Sequence, residues 1–226
     1  MFDNIAWRYD FLNHFLSFGI DRRWRKRAIH ILSQVSHETI LDVACGTGDL
    51  SIEALKLKPR MIIGVDISEG MLAKGREKLV RKNLEKIITL VHGDSEALQF
   101  DDETFEAAMV AFGVRNFEDM NQGLAEILRV LKPGGLLVVL EFSKPRSLFF
   151  KKIFNFYFFR ILPFIGSLFS KDASAYSYLP ESVNTFPDRI DFLDIMRKVG
   201  FTDTCYEELT MGIACLYNGK KEPVAK

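Results

Sequence analysis

The chain has 226 residues, of which 48% are hydrophobic, and its 30 basic and 30 acidic residues give a formal net charge of zero. One buried core is expected from this length, and the balanced charge lacks the basic surface that nucleic-acid-binding proteins usually carry. The three cysteines have no CxxC spacing, which indicates neither a zinc site nor a disulfide framework. Neither a signal peptide nor an apolar run of roughly 20 residues is recognisable. We therefore expect one cytoplasmic domain with no nucleic-acid partner.

Two helices are predicted before the first strand. Apolar residues recur with helical spacing from residue 2 to residue 16, and Asp21 suits the N-cap of a second helix that ends near Leu32. These helices would cover one edge of a sheet or form a lid in which Tyr9 and Asn13 face a bound cofactor.

The stretch from Ile40 to Asp49 predicts a buried strand, a glycine turn and the start of a helix. Gly46 and Gly48 permit positive φ angles and a close approach of the backbone to a ligand. The free N–H groups of the following helix, predicted to run to Leu57, point at the same place. The turn is therefore predicted to hold a cofactor.

An acidic residue at the end of the next predicted strand strengthens this interpretation. Asp66 lies 20 residues after Gly46, and a carboxylate there can accept hydrogen bonds from both ribose hydroxyls. Asp94 follows the third predicted strand, at the edge where α/β sheets bind ligands, and could accept a bond from an adenine amine. These residues together predict a cofactor that contains adenosine.

The charges around the turn favour S-adenosylmethionine over a dinucleotide. Ser51 replaces the third small residue of the dinucleotide fingerprint, and Asp49 places a negative charge where a pyrophosphate would bind. S-adenosylmethionine carries a sulfonium and an ammonium group, which suit a turn lined by Asp42 and Asp49. Two alternatives stay open: a nucleotide-dependent oxidoreductase, against which Ser51 and Asp49 argue, and a non-catalytic adenosine-binding module.

The remaining elements predict an α/β fold with a doubly wound parallel sheet. Ser68 and Asp119 are expected to cap two helices, and Gly200 to end a third. The last two strands are joined by only three residues, so they must be antiparallel. The further predicted strands span 61–66, 87–91, 107–112, 136–140, 201–209 and 213–217. This order resembles the class I S-adenosylmethionine-dependent methyltransferase fold, a Rossmann-like sheet of seven strands with one antiparallel terminal strand.

Several motifs resemble the menaquinone/ubiquinone-biosynthesis C-methyltransferase family over nearly the whole chain. The glycine turn and Lys-Pro-Gly-Gly at 132–135 occur in many methyltransferases, whereas Phe-Gly-Val-Arg-Asn at 112–116 and Leu-Glu-Phe-Ser-Lys-Pro at 140–145 are more specific to this family. The resemblance implies S-adenosylmethionine-dependent C-methylation of a prenylated quinol, with demethylmenaquinol favoured by the Ala-Cys-Gly-Thr-Gly turn. A benzoquinol, a sterol or a tocopherol precursor is the alternative substrate.

Methyl transfer to a quinol carbon requires orientation and a phenolate rather than a nucleophilic side chain or a metal. Arg115 and Asn116 are the predicted catalytic pair, because they can stabilise the phenolate while water takes the proton. The substrate is predicted to contact Tyr9, Asn13, Glu141, Tyr176 and Tyr178. The cofactor is predicted to contact Asp42, Gly46, Thr47, Gly48, Asp66, Ile67, Met71, Asp94, Ser95 and Ala111.

The single domain is predicted to have four parts: a helical lid (1–36), a cofactor-binding core (37–145), a substrate-lid insertion (146–187) and a terminal helix with a hairpin (188–218). The insertion is rich in phenylalanine and basic residues, and residues 143–171 contain no acid. Such a composition suits transient contact with anionic lipid at the inner face of the membrane, or an ordinary buried insertion. We expect a polyprenylated quinol as the partner, and a homodimer stays open.

Overall fold

The computed structural model describes residues 19–147, 152, 156 and 181–223. A seven-stranded sheet runs through it in the order β3-β2-β1-β4-β5-β7-β6. The strands are β1 (Thr39–Val43), β2 (Met61–Asp66), β3 (Ile88–His92), β4 (Phe105–Ala111), β5 (Leu131–Phe142), β6 (Thr202–Leu209) and β7 (Ala214–Lys220). The first five strands pair in parallel, and β7 is antiparallel to both of its neighbours. The predicted fold class is therefore confirmed.

The helix α1 (Ile20–Leu32) precedes β1, and α2 (Asp49–Ala54), α3 (Glu69–Arg81), α4 (Met120–Val130) and α5 (Ile190–Val199) lie between later strands. Residues 181–185 are also helical. Short 3-10 turns follow α2, β4 and β6, at Leu55–Leu57, Val114–Asn116 and Thr210–Gly212. The N-caps that the sequence predicted for α3 and α4 are confirmed. Ser68 Oγ accepts a hydrogen bond from Met71 N–H, and the Asp119 side chain accepts from two backbone amides.

The start of α1 differs from the prediction. Gly19 occupies the N-cap with a φ of 72°, and Asp21 lies within the first helical turn. The Asp21 carboxylate instead pairs with Arg25 one turn later, at 3.0 Å. An acidic residue in the first turn also interacts favourably with the helix dipole, so the pattern that suggested a cap has a different physical basis.

Side chains that alternate along the strands divide the core into two layers. Leu41 and Val43 of β1 point into the layer that packs against α4 and α5. Ile40 of the same strand points into the layer formed with α1, α2 and α3. Because both faces of β1 are covered, all five of its residues are buried, as expected for a central parallel strand. This burial fixes the point at which the loop after β1 begins.

Several strands have bounds that differ slightly from the predicted ones, and β5 is clearly longer. The apolar run predicted only 136–140, whereas the ladder extends from Leu131 to Phe142. A register irregularity between Phe105 and Ala107 accommodates the Lys-Pro-Gly-Gly segment beside β4. In the described part of the chain, no helix has both the length and the apolar composition needed to cross a membrane.

Candidate active site

A cavity of about 340 Å³ opens at the carboxyl ends of β1, β2, β3 and β4. This volume is in the range of small-molecule sites, roughly 300–1,000 Å³. Its position agrees with the general rule that open α/β sheets bind ligands beyond the carboxyl ends of their strands. The described residues that line it are Ala44, Gly46, Val65, Asp66, Ile67, Met71, Gly93, Asp94, Ser95, Glu96, Ala111, Phe112, Gly113, Asn116, Phe117 and Glu118.

Asp66 connects the second strand to the glycine turn. One carboxylate oxygen accepts a hydrogen bond from Gly46 N–H at 2.7 Å, and the other accepts from Ser68 N–H at 2.8 Å. Asp66 also lines the cavity, so the carboxylate that these bonds hold lies at the cavity wall. The side chain is held in one orientation, and it is half-buried, as a ribose-binding carboxylate should be.

The glycine turn adopts the conformation that its sequence predicts. Gly46 and Gly48 have φ angles of 56° and 79°, a region that favours glycine. A Cβ on Gly46 would lie 3.3 Å from Met71 Cε, and both residues line the cavity. The main chain at Gly46 therefore forms part of the cavity wall, where a ligand can approach it.

Asp42 lies behind this turn and is 1% exposed. Its carboxylate accepts a 2.5 Å hydrogen bond from the hydroxyl of buried Ser51. Burial raises the pKa of Asp42 to about 7, and the bond from Ser51 limits the rise. Asp42 is not among the described residues that line the cavity, so its placement supports the turn from beneath. Its cofactor contact stays a prediction.

Asp49 does not present a free negative charge to the cavity. Its two carboxylate oxygens contact Arg25 Nη1 at 3.2 Å and Lys78 Nζ at 2.8 Å. Lys78 also donates to the hydroxyl of Thr47 at 2.8 Å. Two cations thus compensate the charge of Asp49, and its effect on a pyrophosphate stays a prediction. The network fixes the turn between α1 and α3.

Thr47 and Gly48, like Asp42, are buried and stand outside the described lining. The remaining predicted cofactor residues all line the cavity. Ile67 and Asp94 are exposed, and Ser95 and Ala111 are half-buried. The lining also includes residues that sequence reasoning missed, above all Glu96, Phe112, Phe117 and Glu118. Glu96 accepts hydrogen bonds from the backbone amides of residues 118 and 119, which joins the loops after β3 and β4. Only the position of these loops after parallel strands could have indicated that they meet.

Arg115 and Glu141 form a buried ion pair next to the cavity. Arg115 Nη1 lies 2.7 Å from Glu141 Oε1, and the two side chains are 6% and 0% exposed. Arg115 also donates to Phe112 O at 2.5 Å and to Ser182 Oγ at 3.3 Å. Burial raises the pKa of the Glu141 carboxyl, and the charge of Arg115 acts in the opposite direction. Glu141 is completely buried, and its carboxylate also accepts a hydrogen bond from Phe142 N–H at 2.8 Å. Its contact with substrate stays a prediction.

The two predicted catalytic residues differ in position. Asn116 lines the cavity, whereas Arg115 is buried directly behind the lining. The predicted substrate contacts Tyr9, Asn13, Tyr176 and Tyr178 lie outside the described residues, as do most residues of the predicted lid insertion and the first half of the helical lid.

The electrostatics of the lining suit a cationic ligand. Asp66, Asp94, Glu96 and Glu118 are acidic, and no lysine, arginine or histidine stands among the described residues of the lining. A nucleotide cofactor with several phosphates would meet repulsion here, whereas a sulfonium and an ammonium group would be attracted. The donor and acceptor set thus fits S-adenosylmethionine.

Comparison with known proteins agrees with this geometry. The model of the ubiE/COQ5 methyltransferase family matches residues 1–221. A ubiquinone/menaquinone biosynthesis C-methyltransferase from Geobacter sulfurreducens is 51% identical over 223 residues, covering 98% of this chain and 87% of the relative. A demethylmenaquinone methyltransferase from Bacteroides fragilis is 47% identical over 222 residues, covering 98% and 91%.

Solved structures support the fold. A SAM-dependent methyltransferase from Thermotoga maritima has a TM-score of 0.65 at 21% identity and covers 98% of both chains. A phosphoethanolamine N-methyltransferase from Haemonchus contortus, solved with S-adenosyl-L-methionine, has a TM-score of 0.62 at 14% identity and covers 87% of this chain and 52% of that one. The predicted methyltransferase fold is confirmed, and the sequence match over nearly the full length shows that the chain belongs to the ubiE/COQ5 methyltransferase family.

Proposed function

We propose that the protein transfers a methyl group from S-adenosylmethionine to a ring carbon of a prenylated quinol, with demethylmenaquinol as the preferred substrate. The observation that carries the proposal is the acidic cavity at the glycine turn, in which Asp66 is held by Gly46 N–H and Ser68 N–H. The names of the relatives indicate the acceptor. The Bacteroides fragilis relative is a demethylmenaquinone methyltransferase, and the name of the Geobacter sulfurreducens relative includes both quinones.

The residues of the site have separate tasks in this reaction. When bound, S-adenosylmethionine supplies a methyl group on a positively charged sulfur. The Asp66 carboxylate and the main chain at Gly46 hold the nucleoside and fix the direction in which the methyl group points. Asn116 lines the cavity and can donate its side-chain amide to a quinol oxygen.

Arg115 places a positive charge directly behind the lining. A quinol carbon becomes nucleophilic when a neighbouring hydroxyl loses its proton, and the Arg115 guanidinium stabilises the resulting negative charge on oxygen. Glu141 keeps the guanidinium in place and balances its charge in the absence of substrate. A water molecule takes the hydroxyl proton before transfer. The ring carbon that gains the methyl group then loses its own proton to water, and the ring oxygen takes a proton back, which restores the aromatic quinol. The products are the methylated quinol, S-adenosylhomocysteine and one proton.

We also propose transient contact with the membrane surface at the inner face. The support is chemical: the isoprenoid tail of the substrate partitions into lipid, and residues 143–171 carry eight phenylalanines and six basic residues without an acid. Sedimentation of the protein with anionic vesicles tests this contact, and replacing Lys151, Lys152 and Arg160 by glutamate should abolish it. Equal recovery of both proteins with the vesicles would contradict the proposal.

The reaction itself is tested with radiolabelled S-adenosylmethionine and two reduced quinols of equal tail length, one with a naphthalene ring and one with a benzene ring. We expect the label in both lipids and faster transfer to the naphthoquinol. The oxidised quinones are the matched controls, because they have no hydroxyl to ionise and should not be labelled. Absence of label from both reduced quinols would contradict the proposed function.

A further inference from the structure

Phe112 lines the cofactor cavity, and its ring also packs against two other aromatic rings. The residue follows β4 directly, lines the cavity and is half-buried. Its ring centroid lies 4.6 Å from that of Phe142, with 32° between the planes, and 6.2 Å from that of Trp24. Trp24 and Phe142 also meet edge to face at 6.2 Å. We call these three residues, Trp24, Phe112 and Phe142, the aromatic cluster.

The backbone of Phe112 is held in an uncommon conformation. Its φ angle is 59°, which is unusual for a large side chain and is found mainly where the surroundings impose it. Three contacts do so here. Phe112 N–H donates to Leu140 O at 2.8 Å, Phe112 O accepts from Arg115, and a Cβ on the next residue, Gly113, would lie 2.5 Å from Ala44 Cβ. The fold thus maintains a strained residue at the wall of the active site.

The strand order indicates which part of a bound cofactor would lie near Phe112. Asp94 follows β3, Asp66 ends β2, and Gly46 follows β1, so adenine, ribose and the methionine part are expected in that order across the sheet. The end of β4 is three strands from the end of β3, or about 14 Å at the usual spacing between strands. From this order we expect Phe112 to lie far from the adenine end of the cavity, on the side where the methyl acceptor can approach.

The chemistry of this position suits a flat aromatic ring. Phe112 brings no charge and no hydrogen-bonding group, and its neighbours in the aromatic cluster limit its rotation. On the other side of the cluster, Arg115 Cζ lies 5.6 Å from the ring centroid of Phe142. Arg115 Nη1 donates to the carbonyl oxygen of Phe112 itself. A quinol ring that stacks on Phe112 would therefore lie near the guanidinium that stabilises its phenolate.

We propose that Phe112 orients the substrate by stacking against the quinol ring, and that it sets a preference for two-ring over one-ring quinols. The preference follows because a naphthalene ring offers a larger face for stacking than a benzene ring. The inference rests on the proposed function and adds to it the residue that determines specificity.

The test compares Phe112→Leu and Phe112→Tyr with the unaltered protein. In Phe112→Leu, kcat/KM for a naphthoquinol should fall about three- to tenfold, mainly through KM, because the stacking contact is lost. In the same variant, kcat/KM for a benzoquinol of equal tail length should fall less. The ratio of the two kcat/KM values, which measures the preference for the naphthoquinol, should therefore decrease. Phe112→Tyr keeps the ring, so it should lose less kcat/KM than Phe112→Leu and should still favour the naphthoquinol. Calorimetry should give the same affinity for S-adenosylmethionine in all three proteins.

Phe100→Leu is the matched control, because Phe100 is also half-buried and packs edge to face on Phe105, outside the described lining of the cavity. It should change neither quinol preference nor KM. If Phe112→Leu does not fold, Phe112→Gly replaces it, since glycine adopts the positive φ without strain.

The outcomes separate the two proposals. If the unaltered protein methylates neither quinol, the proposed function fails and the role of Phe112 fails with it. If it methylates quinols and Phe112→Leu changes neither KM nor preference, only the role of Phe112 is overturned. Loss of cofactor affinity to the same extent as kcat/KM would also overturn it, because Phe112 would then belong to the cofactor site.

Discussion

Arg115 Nη1 and Glu141 Oε1 are 2.7 Å apart, and neither side chain is appreciably exposed to solvent. Removing one partner of a buried pair leaves an uncompensated charge, which typically costs about 3–5 kcal/mol, whereas removing both charges together can be nearly neutral. The pair therefore allows the structural role of Arg115 to be separated from its role in catalysis.

We predict that Glu141→Gln is strongly destabilised in urea unfolding, by about 3 kcal/mol or more, and that Arg115→Met/Glu141→Gln regains most of this loss. The double variant should still have little methyltransferase activity, because no guanidinium remains to stabilise the phenolate, while its affinity for S-adenosylmethionine stays near normal. Normal turnover in the double variant would show that Arg115 has a structural role only.

Asp66→Ala should weaken S-adenosylmethionine binding by about 1–3 kcal/mol, because the ribose hydroxyls and Gly46 N–H lose their acceptor. Isothermal titration calorimetry measures this directly. Asp203→Ala, which removes an exposed carboxylate on the edge strand β6, is the control and should bind normally. Equal affinities in the two variants would contradict the assignment of Asp66.

Lys78→Met should loosen the glycine turn, since Lys78 Nζ donates to both Thr47 Oγ1 and Asp49 Oδ1 at 2.8 Å. We expect cofactor affinity to fall by about 1 kcal/mol, or roughly fivefold. Lys74→Met lies on the same helix, α3, and removes only an exposed pair with Glu77, so it serves as the control. A similar change in both variants would mean that the network does not support the turn.

Stability in acid should depend on Glu106, far from the cavity. Burial acts to raise the pKa of this carboxyl, but hydrogen bonds from Lys132 and Thr39 outweigh it and lower the pKa from 4.5 to about 2. A carboxyl with a depressed pKa in the folded state stabilises the protein above its ordinary pKa and loses this contribution as the pH falls through the lower value.

The difference in unfolding free energy between the unaltered protein and Glu106→Gln should therefore be about 1–3 kcal/mol near neutral pH and should shrink between pH 4.5 and pH 2. Urea unfolding at a series of pH values measures it. A difference that is constant through this range would show that the carboxylate charge of Glu106 makes no contribution.

Much of the fold was predictable because its signals are local. Buried parallel strands are continuous apolar runs, Ser68 and Asp119 are typical caps, and a three-residue link requires an antiparallel pair. The N-cap predicted at Asp21 was wrong for an equally local reason. An N-cap residue and an acidic residue in the first helical turn look alike in sequence, and only the backbone angle of Gly19 distinguishes them.

The site was less predictable because its signals are tertiary. Asp66 and Gly46 were predictable because each has a local signal: Gly46 lies in the glycine turn, and Asp66 ends a strand. The sequence did not reveal that Arg25 and Lys78 compensate Asp49, because α1 and α3 bring these cations from distant positions. In the same way, Phe112 belongs to a recognisable motif, but its positive φ and its aromatic neighbours depend on β5 and α1.

The central claim is transfer of a methyl group to carbon rather than to oxygen of a quinol. The most direct measurement is NMR of the lipid product formed from demethylmenaquinol and S-adenosylmethionine that carries a carbon-13 methyl group. We predict one labelled methyl resonance with the chemical shift of a methyl group on an aromatic ring carbon. A labelled resonance with the shift of a methoxy group, or no labelled lipid at all, would contradict the account.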